Sequence, residues 1–192
     1  MRRVVITGVG AVTPIGNTVK EMWAGVREGK CGIDKITKYD ISNRKVKVAA
    51  EVKNLPVEEL VDKHDLRKMD LFCTFAMIAA DEAIADSGLS FEGEEDKCGV
   101  IVSSGIGGIS TIEKEYSKGL EKGFDRVSPY FIPSVITNMA AGRIAIKHNL
   151  QGMCSCVVTA CAGGTNAVGD SFRQIRDGYA DVMVCGGAEA GI

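Results

Sequence analysis

A chain of 192 residues, 45% hydrophobic and 25% charged with a formal net charge of −2, has the composition of an ordinary globular domain, which excludes a disordered or fibrous class. The near-neutral balance offers no basic field for nucleic acid, and the apolar runs fall short of the roughly 20 residues that span a membrane. Seven cysteines, an odd number in a chain with no expected secretory leader, predict reduced thiols in a cytoplasmic setting and not a disulfide framework.

The opening MRRVVITGVGAVTPIG sets a basic pair before apolar residues, but Gly8, Gly10 and Pro14 interrupt any leader core. The expectation is a buried strand over 3–7 and not a targeting segment. A short helix is expected over 19–29, ended by Gly29, and a strand over 46–52. Leu66, Met69, Cys73, Ala76, Ala80 and Ala83 recur at helical spacing. They predict one helix from about Asp65 to Asp86, stopped by Ser87-Gly88. The run CGVIVSSG, 98–105, has the continuous apolar character of a central strand. A helix follows Thr111, then a loop carrying Pro129 and Pro133. The small-residue segment SVITNMAAGRIAIKHN is expected to form a closely packing helix. A strand over 154–158, a helix after Cys161 and a last strand within 181–190 complete the pattern. Alternating helices and apolar strands predict an α/β fold with a mostly parallel sheet covered on both faces. With no helix after the last strand, the expectation is a single N-terminal domain, 1–192, cut from a longer protein.

The stretch SCVVTACAGGTNAVGDSF, 155–172, holds the chemistry. A β-branched run leads into Thr159-Ala160, then Cys161, then Gly163 and Gly164 at the start of the predicted helix. A thiol is nucleophilic as thiolate, which a helix N-terminus favours. The glycines leave room beside the sulfur for a substrate or a neighbouring backbone. The arrangement is analogous to the nucleophile elbow of hydrolases, with the Cys161 N–H available to an oxyanion. Ala167, Val168, Phe172 and Ile175 are expected to form the buried stripe of this helix, before a stop at Gly178. Cys154, Cys156 and Cys185 fit the usual reading of a cysteine, buried and inert. Cys154 and Cys156 would share one face of a strand, but no second pair or histidine cluster stands at zinc spacing.

VVTACAGGTNAVG resembles the active-site motif of the β-ketoacyl-[acyl carrier protein] synthases, most closely type II. RRVVITGVGAVTPIGN, RKMDLF, SSGIGG, SPYFIPSVITNMAAG and DVMVCGGAEA are similar to the family's other blocks, in order, along the whole chain. Gly163 stands where relatives often carry Thr or Ser, and Gly152-Met153 where many carry Gly-Pro. The resemblance implies a thiolase-like, five-layer α-β-α-β-α sandwich in the complete enzyme, of which this chain covers most of the N-terminal half. It implies a decarboxylative Claisen condensation in which Cys161 accepts an acyl group from acyl carrier protein and malonyl-carrier supplies the carbanion. It further implies a homodimer and no cofactor. Ile106 would line the acyl pocket, with Gly163 and Gly164 beside the substrate, and Phe131 would reach a partner subunit's pocket. Lys63, Arg67, Lys68 and Arg126 would dock the acidic carrier protein, although Asp125 departs from a position that is basic in some relatives. The family's two histidines and lysine lie in the C-terminal half, so the 192-residue chain alone is expected to be inactive.

Other readings stay in view. GVGAVTPIG lacks the third glycine of a dinucleotide fingerprint, and SSGIGG lacks the Lys-Ser/Thr of a phosphate loop. His64, among Lys63, Arg67 and Lys68, and His148, near a helix end, match none of the catalytic positions. A polyketide ketosynthase, or a non-catalytic half that pairs with a second chain, would share much of this pattern. Chain-length-factor-like partners lack the cysteine, which this chain has.

Overall fold

The computed structural model describes residues 2–192. Its first helix, α1 (Val19–Arg27), starts at Thr18, whose side chain accepts the Glu21 N–H. A two-stranded antiparallel ribbon follows, β1 (Ile33–Lys35) against β2 (Val48–Ala50). Beneath it, buried Glu51 accepts the N–H and hydroxyl of Thr37 and the N–H of Lys38. Two single turns, α2 (Val57–Leu60) and α3 (Lys63–Leu66), precede the long helix α4 (Leu71–Ser87).

The single helix expected over 65–86 is therefore two. Asp70 leaves helical geometry with φ −85° and ψ 167°. Its buried carboxylate accepts the Phe72 N–H, the Thr111 N–H and the Thr111 hydroxyl. Capping α4 and tying it to a second helix outweigh the continuous apolar spacing through 67–70. Asp70→Ala should lower stability by about 2 kcal/mol, because it removes the cap and leaves the two half-buried Thr111 donors without their acceptor. A urea titration checks this; an unchanged midpoint contradicts it.

The central strand β3 (Cys98–Ser103) is buried along its whole length. After it come α5 (Ile109–Lys122), α6 (Phe131–Val135) and α7 (Met139–His148). Pro133 thus lies in a short helix and not in the expected loop, and the small-residue helix begins at Met139 instead of Ser134. Strand β4 (Cys154–Ser155) is shorter than the expected 154–158. Helix α8 (Gly163–Arg176) and strand β5 (Val182–Gly187) complete the fold. The three-stranded sheet has order β4-β3-β5 and is parallel throughout.

Strand alternation sorts the packing. Cys98, Val100, Val102, Val182 and Val184 face α4 and α7, where Phe72, Ala140 and Ile144 fill the core. The first part of α4 is buried on several sides, at Phe72, Cys73, Thr74, Ala76, Met77, Ile78 and Ala80, whereas Asp81, Glu82 and Asp86 mark its more open C-terminal part. Ser103 and Gly187 face the other way, onto the N-terminus of α8. The result is helix, sheet, helix.

Two expectations about apolar residues fail. Residues 3–7 form no strand; Val5 and Ile6 are 56% and 81% exposed. The segment runs beside α4, where Glu82 and Asp86 accept the N–H groups of Ala11 and Val9. Gly8 and Gly10 lie so close to α4 that an added Cβ would stand 2.1 and 1.8 Å from its carbonyl oxygens. On α8 the buried line is Gly163, Ala167 and Ser171, whereas Val168 and Phe172 are exposed. The helix lays its smallest side chains on the sheet and turns its large ones outward. Val168, Phe172 and Ile175 instead line an apolar groove of about 510 Å³ together with residues 4–8 and 182–185.

Candidate active site

Three chain segments converge at the C-terminal ends of the parallel strands. The segment leaving β4 makes a single 3₁₀ turn, Ala160–Ala162, and runs directly into α8. Cys161 sits in that turn and is exposed. Its neighbour Ala160 holds φ +48°, a left-handed conformation that disfavours a residue with a side chain and persists only where the surroundings enforce it. Among the described residues no acceptor takes the Cys161 N–H, so this donor can meet a developing oxyanion.

Cys161 opens into a cleft of about 740 Å³ shared with the 103–106 and 187–189 segments. Ile106 and Gly164 line it with the thiol. Gly163 does not; it is buried, and the space its missing side chain leaves is taken by Ser103, not by the cleft. Phe131, at the start of α6, is half-buried and stands outside this cleft.

Glu189, which no motif singles out, organises one wall. Its carboxylate accepts the Ser104 hydroxyl at 3.0 Å, the Gly105 N–H at 2.8 Å and the Ile106 N–H at 3.3 Å. Ser104 Oγ in turn accepts the Gly107 N–H at 3.0 Å. The signal was there: Glu189 is the one charged residue within 182–192. No histidine, lysine or arginine lines the cleft. His148 pairs with Asp81 at the end of α7, and His64 contacts Lys68. Among the described residues no cluster of three or more metal-ligating side chains occurs.

The other cysteines separate by environment. Cys73 and Cys98 are buried, and burial pushes the Cys73 thiol up to about 12 and raises that of Cys98. Cys154 and Cys185, expected to be buried, are reached by solvent because β4 and β5 are the sheet edges. Partial burial still raises both thiols. Limiting iodoacetamide at about pH 8 should therefore label Cys161 and spare Cys73, whose thiolate fraction is then about 10⁻⁴. Peptide mass mapping reads the order, with exposed Cys31 as the internal reference. Labelling of Cys73 or Cys185 while Cys161 stays free contradicts the assignment.

The basic residues lie away from the cleft. Lys63 pairs with Glu58 at 3.6 Å. Arg67 is exposed. Lys68 stands 5.1 Å over the Tyr130 ring, next to the loop that follows Arg126. The cation–π contact joins the 63–68 turn to the 124–130 segment, so Lys68 and Arg126 belong to neighbouring surface elements.

A helix–sheet–helix layer with an exposed thiol at a strand-to-helix turn defines an α/β protein whose open cleft lies at the strand ends. The family model described as "Beta-ketoacyl synthase, N-terminal domain" matches residues 1–192, and the chain belongs to that family. It is 45% identical over 192 residues to 3-oxoacyl-[acyl-carrier-protein] synthase 2 of a Synechocystis species, covering 100% of this chain and 46% of the relative. Identity and coverage are the same with the protein of that name from Staphylococcus aureus strain COL. Among solved structures, "the ishigamide ketosynthase/chain length factor" superposes with a TM-score of 0.87 at 30% identity, over 98% of this chain and 48% of that one. The fold is thus thiolase-like, and the chain spans about half the length of the curated relatives it matches.

Proposed function

We propose that this chain is the nucleophile-bearing half of a 3-oxoacyl-[acyl-carrier-protein] synthase of type II fatty-acid synthesis. The observation that carries the reading is the exposed Cys161 thiol on a strained turn at the start of α8, facing an open cleft. The names of the Synechocystis and Staphylococcus relatives support the substrate class. In the first step the Cys161 sulfur attacks the thioester carbonyl of an acyl carrier protein. The carrier thiol leaves with a proton, and the acyl group remains as a thioester on Cys161. In the second, malonyl-carrier loses carbon dioxide and its α-carbon attacks that thioester. The new carbon–carbon bond releases the Cys161 sulfur and yields 3-oxoacyl-carrier. The 160–162 turn positions the sulfur, and the Cys161 N–H meets the oxyanion of each tetrahedral intermediate. The donors that steady the malonyl enolate come from outside this cleft, in the C-terminal half.

A cytoplasmic homodimer is part of the same proposal, as is the covering of the apolar groove by that C-terminal half. Incubating the full protein with acyl-carrier and malonyl-carrier tests the reading; 3-oxoacyl-carrier is the expected product, and its absence with an intact fold opposes it.

Lys63, Arg67, Lys68 and Arg126 form the proposed carrier-docking face. Reversing charge at Lys68 and Arg126 together should raise the apparent KM for carrier-bound substrates roughly tenfold at low salt. The effect should shrink as salt screens the encounter. Equal changes with carrier-bound and coenzyme A-bound substrates would make this an ordinary solvated face.

A further inference from the structure

We infer that Ser103 and Gly163 form one interlocked unit that holds the Cys161 turn in place, with Ser103 as a positioning residue; its catalytic meaning rests on Cys161 being the acyl acceptor. The β3–β4 ladder pairs Val100 with Cys154 and Ile101 with Ser155. Continued by two residues, that register would set Ser103 opposite Val157, but the strand has already ended. The Ser103 hydroxyl takes over: Oγ donates to the Val157 carbonyl at 2.5 Å. A side chain thus supplies the bond that the ladder no longer makes, where the chain leaves the sheet to form the turn. Ser103 is 2% exposed, so water cannot replace the bond if the hydroxyl is lost.

The same hydroxyl dictates the residue above it. A Cβ at position 163 would stand 1.9 Å from Ser103 Oγ and 2.8 Å from Ser103 Cβ. Gly163 has φ −57° and ψ −44°, which any residue adopts, so glycine is needed here for space and not for backbone freedom. Rotating the Ser103 hydroxyl aside would break its bond to Val157 and still leave Ser103 Cβ 2.8 Å from the new side chain. One step further along, Gly164 and Gly187 meet backbone to backbone, with a Cβ on Gly187 only 3.0 Å from Gly164 Cα. Helix α8 is therefore seated directly on the strand ends. Ala160, the left-handed residue, lies between the two clamped points, Val157 and Gly163. Its strained φ is kept because both flanks are fixed.

The test is a double-mutant cycle in the full chain as its gene encodes it. Gly163→Ser alone should slow carboxamidomethylation of Cys161 at least about tenfold, or drive the protein from the soluble fraction, because the turn must move by more than an ångström. Ser103→Gly alone should slow it about threefold, and Ser103→Ala, which keeps the Cβ and loses only the bond, about as much. The double variant Ser103→Gly/Gly163→Ser vacates the space under the new side chain. It should return to within about threefold of the parent in alkylation rate, with its pH profile restored. If Gly163→Ser is insoluble, recovery of soluble protein in the double variant is the readout. A Gly163→Ser protein like the parent, or a double variant no better than that single one, overturns the inference. Acyl transfer is scored separately. A parent that never acylates Cys161 defeats the catalytic reading, whereas the cycle in alkylation rate and solubility still decides the interlock.

Discussion

Replacing Cys161 with alanine in the full protein should lower condensation by about 10⁴-fold or more while leaving the fold intact. Removing the attacking atom of a covalent catalyst has an effect of that order, because no partial mechanism survives it. The cleft offers no substitute. Its two other hydroxyl nucleophiles are engaged: Ser103 donates to the Val157 carbonyl and Ser104 to Glu189. Cys161→Ser should be nearly as inactive, because a hydroxyl is a far weaker nucleophile than a thiolate at neutral pH. Cys161 is exposed and makes no core contact, so the thermal midpoint of the alanine variant should stay within about 2 °C of the parent. Steady-state assay with carrier-bound substrates, with a melting curve beside it, checks both halves. Activity within about tenfold of the parent would mean that another group accepts the acyl chain.

The second large effect concerns residues 1–192 produced alone. They should fold into the helix–sheet–helix layer, associate with one another, and fail to condense acyl and malonyl groups. Loss of a single oxyanion donor lowers a rate by about 10²–10³, and the cleft holds no cationic or imidazole donor at all. The sequence has two histidines, both engaged elsewhere, with Asp81 and with Lys68. Association follows from the groove formed by residues 4–8, β5 and the outer face of α8, where Val5, Ile6, Val168 and Phe172 meet water. Contiguous apolar surface of this kind drives self-association or a partner contact. Light scattering after size exclusion and a radiolabelled condensation assay read the two outcomes. A monodisperse monomer would contradict the first, and turnover near that of a full synthase would contradict the second.

The sequence made the site more legible than its supports. Cys161 announces itself through local chemistry: an apolar run, a thiol, glycines and then helical spacing. Helices such as α1 and α5, with turns and polar faces of their own, also show in the pattern. The failures share a cause. The apolar spacing through Leu66, Met69 and Cys73 continues unbroken across a helix boundary, and the break comes from Asp70 bonding Thr111, 41 residues away. Residues 3–7 have strand composition but pair with no strand, and just after them the N–H groups of Val9 and Ala11 go to Asp86 and Glu82 of α4. The apolar stripe of α8 misleads because its large residues point outward, while glycine, alanine and serine touch the sheet. Ser103 and Glu189 are not legible as supports because their bonds span 54 to 85 residues, a distance that local spacing does not encode.

The central claim is that Cys161 carries the acyl group. Mixing the full protein with acyl-carrier protein in the absence of malonyl-carrier, quenching in acid and mapping the peptides by mass tests it directly. The expected result is one acyl adduct per chain, on the peptide containing Cys161 and labile to hydroxylamine as a thioester is. An adduct on any other residue, or none at all from a folded protein, would contradict the account.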